Sequence, residues 1–436
     1  MKSRVPKPTP RVFRNPQMLW DDPQTAPASL GCWTCMDREA CGGAHKGASF
    51  FDCSDYCLCA DKSTCDLVCR GNPAGFVERV REVGGLDLMN APRAPYNPID
   101  PLPSMVPLIE HRSARIGKLN FPIVALPLYA LIDLSGGTLK VRDRESLATL
   151  FGIDPTARLV VSGVARDRKI ERYWELSDRA TLLNELRSLD VSLITPPNFS
   201  VLTDVPRSDN LHAMKRILLA CMEMANAGLP TALHLNARTE TDYRRWTELL
   251  AHRPEIECLA FEFATGAGRG SRIDWHVAQL SRLADNVGRP LRLIARGGVR
   301  VLETLRHSFD GVTVIDTDAF NRTRCRKQAY FTEAGKLLWR SHPTAVGEPL
   351  DALLDQNVAT VHSHHTYLER LHSDQRLGLS GQRIAVAKNG DRKAAQRSHL
   401  SQNRRATSDV ASGVQGQGVV IAAETQFSIM SNERSK

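Results

Sequence analysis

The sequence predicts an α/β fold built on a parallel (βα)8 barrel, complete or degenerate, preceded by a cysteine-rich metal-binding module. Three observations predict it. Between Leu119 and Trp339, short runs that are apolar throughout alternate with longer stretches of helical period. Eight of the 11 cysteines crowd between Cys32 and Cys69. The 436 residues also leave room for one barrel, typically about 250 residues, with appendages at both ends.

The strand candidates are Phe121–Leu126, Arg158–Val164, Val191–Thr195, Thr231–Leu235, Ile256–Phe261, Leu291–Ala295 and Val312–Ile315, with an eighth near Thr138–Val141. Helical periodicity fills the gaps at Ala180–Leu189, Leu211–Ala227, Thr241–His252, Ile273–Val287 and Leu302–Phe309. Strands that are apolar on both faces and separated by helices pair in parallel, through right-handed crossovers. An open doubly wound sheet meets the same description. The number of strands favours the barrel.

Composition shifts divide the rest. Residues 1–30 read as an extended arm and 31–89 as the cysteine module, where ligands rather than a core dictate the fold. Prolines at 92, 95, 98, 101, 103 and 107 make 90–118 a linker or a strap laid over the barrel-like domain at 119–345. A helical extension follows at 346–377. From 378 to 436 aromatic residues nearly vanish while Ser, Gln, Asn, Lys and Arg accumulate, as in a disordered basic tail.

The cysteines are Cys32, Cys35, Cys41, Cys53, Cys57, Cys59, Cys65 and Cys69, with His45 among them. No apolar run resembles a signal peptide or approaches the ~20 residues that span a bilayer, so the expected location is the cytoplasm and no membrane partner is expected. In that reducing compartment such density means metal ligation rather than disulfides. Cys32-x-x-Cys35 and Cys57-x-Cys59 each bring two thiolates to one ion, and the remaining cysteines complete two four-ligand sets. Zinc is favoured, an iron–sulfur cluster is the alternative, and a structural role is expected because four thiolates leave no open position. Cys221, Cys258 and Cys325 read as ordinary buried or partly buried residues. His362, His364 and His365, on an expected surface helix, have uneven spacing and no cysteine nearby, which makes them poor ligands.

Net charge is +9, which favours partners rich in phosphate, although much of the excess sits in the tail. In parallel α/β folds ligands gather at the carboxyl ends of strands. There the sequence places Asn198, Asp204 and Arg207, then His234, Asn236, Arg238 and Asp242, then Glu262, Thr265 and a loop Gly266-Ala267-Gly268-Arg269-Gly270. Arg296-Gly297-Gly298 and Asp316 close the series. Glu262 and Asp316 are the candidate acid, base or nucleophile, since desolvation at a barrel mouth tunes a carboxyl pKa; capping a helix or pairing with Arg296 is the structural alternative. Gly297 and Gly298, ahead of a helix, suit phosphate or a plain turn. Gly266-x-Gly268 lacks the third glycine of a dinucleotide fingerprint, which argues against a Rossmann site.

Ser162-Gly163-Val164, Thr195-Pro196-Pro197-Asn198-Phe199-Ser200, Asp204-Val205-Pro206-Arg207, His234-Leu235-Asn236-Ala237-Arg238 and Phe261 to Gly266 together resemble a family of uncharacterised bacterial and mobile-element proteins. That family also carries a block like Cys65-Asp66-Leu67-Val68-Cys69-Arg70. The resemblance runs from about Gly31 to Arg300 and implies a shared fold without an activity. In architecture alone the chain is similar to guanine transglycosylases, barrels with a thiolate metal site and a nucleophilic aspartate. Their zinc ligands follow the barrel, whereas these cysteines precede it.

The function expected is therefore a metal-binding barrel enzyme acting on a phosphate-containing ligand, a nucleotide or nucleic acid. Glu262 or Asp316 would act as acid/base or nucleophile, with Arg296-Gly297-Gly298 on phosphate and Arg207 and Arg238 steering the anion. The alternatives are a nucleic-acid-binding accessory protein with a non-catalytic barrel, and an iron–sulfur redox protein.

Overall fold

The computed structural model describes residues 82–201, 207–268, 270, 272–332 and 335–371, with side chains from 210 onward in the first long helix. The arm, the eight clustered cysteines, Asp204, Arg269 and the basic tail lie outside the described residues, as does the side chain of Arg207.

The strands are β1 (Met105–Pro107), β2 (Ile123–Pro127), β3 (Ile132–Asp133), β4 (Thr138–Leu139), β5 (Arg158–Ser162), β6 (Val191–Ile194), β7 (Leu233–His234), β8 (Cys258–Glu262), β9 (Arg292–Arg296), β10 (Gly311–Asp316), β11 (Lys327–Phe331) and β12 (Leu337–Ser341). Between them run α1 (Arg144–Phe151), α2 (Asp167–Trp174), α3 (Arg179–Ser188), α4 (Arg207–Asn226), α5 (Glu240–His252), α6 (Arg272–Val287), α7 (Leu302–Ser308) and α8 (Asp318–Arg324). A last helix, α9, covers 351–371.

The chain is an α/β protein whose two larger sheets are parallel, while β3 with β4 and β11 with β12 form antiparallel pairs. One five-stranded sheet has the order β1-β10-β9-β8-β7, and a three-stranded sheet has the order β2-β5-β6. Single parallel bridges, Leu108 to Ala125 and Ile194 to Thr231, join the β1 edge to β2 and the β6 edge to β7. Backbone bonds accompany both: Ile109 N donates to Ala125 O at 2.9 Å, and Ala232 N to Ile194 O at 2.9 Å.

The two faces of the strands feed different cores, which is why the sequence shows continuous apolar runs rather than alternation. Val106, Leu108, Ile123, Ala125, Val160, Leu193, Ala232, Cys258, Ala260, Ile294 and Ile315 belong to one compact cluster drawn from the parallel strands and the residues next to them. Their neighbours of opposite parity, such as Leu126, Leu159, Val161, Leu233, Leu259, Leu293 and Val314, join the larger cluster that includes the helices.

Every strand candidate between Phe121 and Ile315 coincides with an observed strand, but the eighth candidate differs. Thr138–Leu139 pairs antiparallel with Ile132–Asp133 in a hairpin apart from the parallel sheets. The Asp133 carboxylate accepts from Ser135 N at 3.1 Å and its carbonyl accepts from Gly137 N at 2.8 Å, so the intervening turn reverses the chain. The eighth parallel strand is instead Met105–Pro107, inside the proline-rich stretch, with Met105 and Val106 fully buried.

The segment before β1 runs the length of α4. Glu82 accepts from Trp174 Nε1 at 2.6 Å and faces His212 Nε2 at 3.1 Å near the start of that helix. Farther along, the fully buried Lys215 donates to Asp87 O and Asn90 Oδ1, and Asn97 Nδ2 reaches Ala225 O at 2.7 Å near the end of α4. Arg253, also buried, donates to Pro92 O at 3.0 Å and to Ala91 O.

At the other end, Asp351 accepts from Ile116 N at 2.9 Å and Gly117 N at 3.1 Å. Asn357, fully buried, accepts from Ala329 N and donates to Thr323 Oγ1 and Lys327 O. α9 is the surface helix expected there, with exposed residues such as Tyr367 on one side and His365, 1% exposed, on the face that packs inward. Cys221 and Cys258 are buried, whereas Cys325 is exposed. No helix among the described residues is long and apolar enough to cross a membrane.

Candidate functional site at the strand carboxyl ends

Parallel register determines which side chains meet. His234 lies opposite Ala260, and Glu262 opposite Arg296, so the polar ends of β7, β8 and β9 emerge together. The loop after β7 is held by the helix it leads into. Thr239 and Asp242 form a capping box at the start of α5, and the Asp242 carboxylate also accepts from Arg238 N at 2.7 Å. Trp246 Nε1 donates to Asn236 O at 3.0 Å, while Asn236 Nδ2 donates to Asn198 Oδ1 at 3.0 Å and Phe199 O at 2.8 Å, tying this loop to the one after β6.

These loops enclose a cavity of about 290 Å³. Asn198, His234, Asn236, Arg238, Glu262 and Thr265, all singled out from the sequence, line it together. Arg272 and His276 of α6 complete the wall. Sequence reasoning passed over these two because they belong to a helix; their signal was an arginine two residues after the glycine loop and a histidine one turn later on the same helix face.

Glu262 is 5% exposed. Its Oε1 accepts from Ala264 N at 2.7 Å, while Oε2 lies 3.6 Å from Arg296 Nε. Neither Oε2 nor that Nε has a hydrogen bond. Burial raises the Glu262 pKa above the ordinary carboxylate value, against the opposing pull of the Arg296 cation and the Ala264 N–H.

His234 is 2% exposed, and its Nδ1 lies 3.2 Å from Leu235 O. Burial lowers its pKa to about 4, the Leu235 carbonyl opposes that, and the Arg296 cation adds to it. His276 is lowered to about 4 by burial and by the cations Arg238 and Arg272; its Nδ1 lies 2.8 Å from the Tyr243 hydroxyl. Both imidazoles are therefore neutral near pH 7. The Arg238 pKa is lowered by burial and then by Arg272. Among the described residues neither guanidinium, Arg238 nor Arg272, has a hydrogen bond or an ion pair.

The other sequence candidates sit elsewhere. Asp316 continues the face of Val312 and Val314, opposite Ile315 of the inner cluster, and accepts from Ala319 N at 2.8 Å and Asp318 N at 3.3 Å. It caps α8 and does not line the cavity. Burial, first of all, raises its pKa to about 6. Gly297 and Gly298 have φ of 75° and 73°. A Cβ on Gly298 would lie 2.8 Å from the Phe263 ring, and one on Gly297 2.9 Å from Ala264 N, so the pair lets the β9 loop press on the β8 loop. Among the described residues no three His, Cys, Asp or Glu side chains gather as a metal-binding group.

Fold and site together define an α/β protein with parallel strands and a polar, cation-rich cavity at their carboxyl ends. No protein-family model and no curated protein matches the chain.

Proposed function

We propose that the chain is a barrel enzyme acting on a phosphate-containing ligand, a nucleotide or nucleic acid, in the cavity at its strand ends. One observation carries this reading. Arg238 and Arg272 meet at a cavity wall without a carboxylate partner among the described residues, so an anion would relieve their mutual repulsion and supply the missing hydrogen bonds.

Glu262 is the acid or base in this reading. It is the carboxylate lining the cavity, burial already favours its protonated form, and an anion seated on the arginines would raise its pKa further. A carboxyl so placed can donate a proton to a leaving group. Arg296 holds the carboxylate in the unprotonated state.

Closure of the parallel strands into a single (βα)8 barrel belongs to the same proposal. It is supported by the bridges at both sheet edges and by the inner cluster, to which seven of the eight parallel strands contribute and Ala232, just before β7, is added. The eight cysteines are proposed to hold zinc before iron–sulfur on the arithmetic of their spacing. Metal analysis of protein purified without air distinguishes the two: zinc without visible absorption supports the first, whereas iron with a brown colour supports the second.

Calorimetric titration with inorganic phosphate and ribose 5-phosphate tests the anion reading. Arg238→Ala and Arg272→Ala should each weaken binding at least about tenfold, the equivalent of one charge-assisted bond. Equal affinity in wild type and both variants overturns it.

A further inference from the structure

The two histidines of the cavity are fixed in opposite senses. His234 Nδ1 lies 3.2 Å from Leu235 O, and a carbonyl only accepts, so Nδ1 carries the proton and Nε2 keeps a lone pair. The Tyr243 hydroxyl is buried and meets the described structure only at His276 Nδ1, 2.8 Å away. Were the hydroxyl to accept there, its own proton would be orphaned in the core. It therefore donates, and His276 carries its proton on Nε2.

Neither Nε2 has a partner among the described residues, and both side chains are at least nine-tenths buried at the cavity wall, His234 being 2% and His276 5% exposed. Neither Nε2 is among the atoms sealed from solvent without a partner, so an acceptor and a donor remain accessible at the cavity wall and select a ligand that supplies the converse pair. Phe261, its ring tilted 51° to that of His276 at 5.3 Å between centroids, lines the same wall and adds an apolar surface. At about 290 Å³ the cavity is near the lower end of small-ligand pockets, which suits a mononucleotide-sized group rather than a polymer duplex.

We infer that the ligand is a nucleotide whose base edge is read by two histidines of opposite tautomer, His234 accepting through Nε2 and His276 donating through Nε2–H, while Arg238 and Arg272 hold its phosphate. This rests on the anion reading above and specifies its substrate class. A base amide or amidine edge offers an N–H beside a lone pair in one rigid plane, whereas the hydroxyls of a sugar phosphate offer a donor and an acceptor only on freely turning bonds.

The full chain is titrated with inorganic phosphate, ribose 5-phosphate and the four common nucleoside 5′-monophosphates. At least one monophosphate should bind about tenfold or more tightly than ribose 5-phosphate, an advantage abolished in His234→Phe and restored in part by His234→Gln, which keeps an acceptor. Equal affinity for ribose 5-phosphate and every monophosphate overturns the inference while the anion reading stands. No binding of any probe overturns both. Nitrogen NMR of the wild-type imidazoles gives an answer that needs no variant: Nδ1–H at His234 and Nε2–H at His276 are expected, and the reverse assignment at either ring overturns the proposal.

Discussion

Glu262 Oε2 stands 3.6 Å from Arg296 Nε at the paired ends of β8 and β9, and neither atom has a hydrogen bond. The contact is long enough to gain charge attraction without recovering the hydration that both groups lose on burial. A pair in that condition is a weak brace. It is well suited to a site where the carboxyl must gain and lose a proton.

Arg296→Met should therefore act through pH. Removing the cation leaves a buried carboxylate uncompensated, at a cost of about 3 kcal/mol in the range where Glu262 is ionised. The Glu262 pKa is already raised, so the folded state binds the proton more tightly than the unfolded state, and stability falls as pH rises through that window. The variant should be strongly destabilised at pH 8 and much less so at pH 5. Thermal melts that lose the same number of degrees at both pH values contradict this.

Asp316 makes a separate pH prediction. Its pKa rises from 3.8 unfolded to about 6 folded, so it lowers stability progressively as pH climbs between those values, by roughly 3 kcal/mol in full. Asp316→Asn keeps an acceptor for the Ala319 and Asp318 amides, removes the charge, and should flatten that slope. Asp316→Ala should instead lose about 1 kcal/mol or more at every pH, through the orphaned helix amides. Urea denaturation from pH 4 to 7 separates the two variants; an Asn variant with the wild-type slope counts against the assignment.

Gly163 couples the end of β5 to the cavity. A Cβ there would lie 2.4 Å from Pro196 O and 2.5 Å from Thr195 O, backbone atoms at the end of β6, while Gly163 N donates to Thr195 Oγ1 at 2.9 Å. Gly163→Ala must push that strand end outward, with an overpacking cost of about 1–3 kcal/mol. The same strand leads to Asn198, which holds Asn236, so anion affinity should fall along with stability. Unchanged melting and affinity would show that the loop yields freely.

Lys215 tests whether residues 82–98 are fixed by their buried clamp. Lys215→Met keeps the apolar stem and deletes the bonds to Asp87 O and Asn90 Oδ1. Amide exchange should speed up across 82–98 while the strands of the inner cluster stay protected. Exchange that rises equally everywhere would mean the clamp serves global stability instead.

The strands from Phe121 to Ile315 were legible because each is buried on both faces and reads as an unbroken apolar run. Met105–Pro107 was not, because three residues flanked by prolines carry no period; its place is set by pairing with β10, more than 200 residues away. Of the site, His234, Asn236, Arg238 and Glu262 were legible as polar ends of apolar strands. Asp316 shared that signal but faces the other way, since which parity points inward is decided by neighbouring strands and not by local sequence. Arg272 and His276 were hidden by lying on a helix whose orientation only packing reveals.

In the proposed reading the cavity between Arg238 and Arg272 receives the phosphate of its ligand. Crystals soaked in tungstate, an electron-dense phosphate mimic, test it most directly by anomalous scattering. A tungsten peak within hydrogen-bonding reach of both guanidinium groups is predicted. Tungsten bound only at other surfaces, with this cavity holding solvent alone, would rule out Arg238 and Arg272 as the phosphate site.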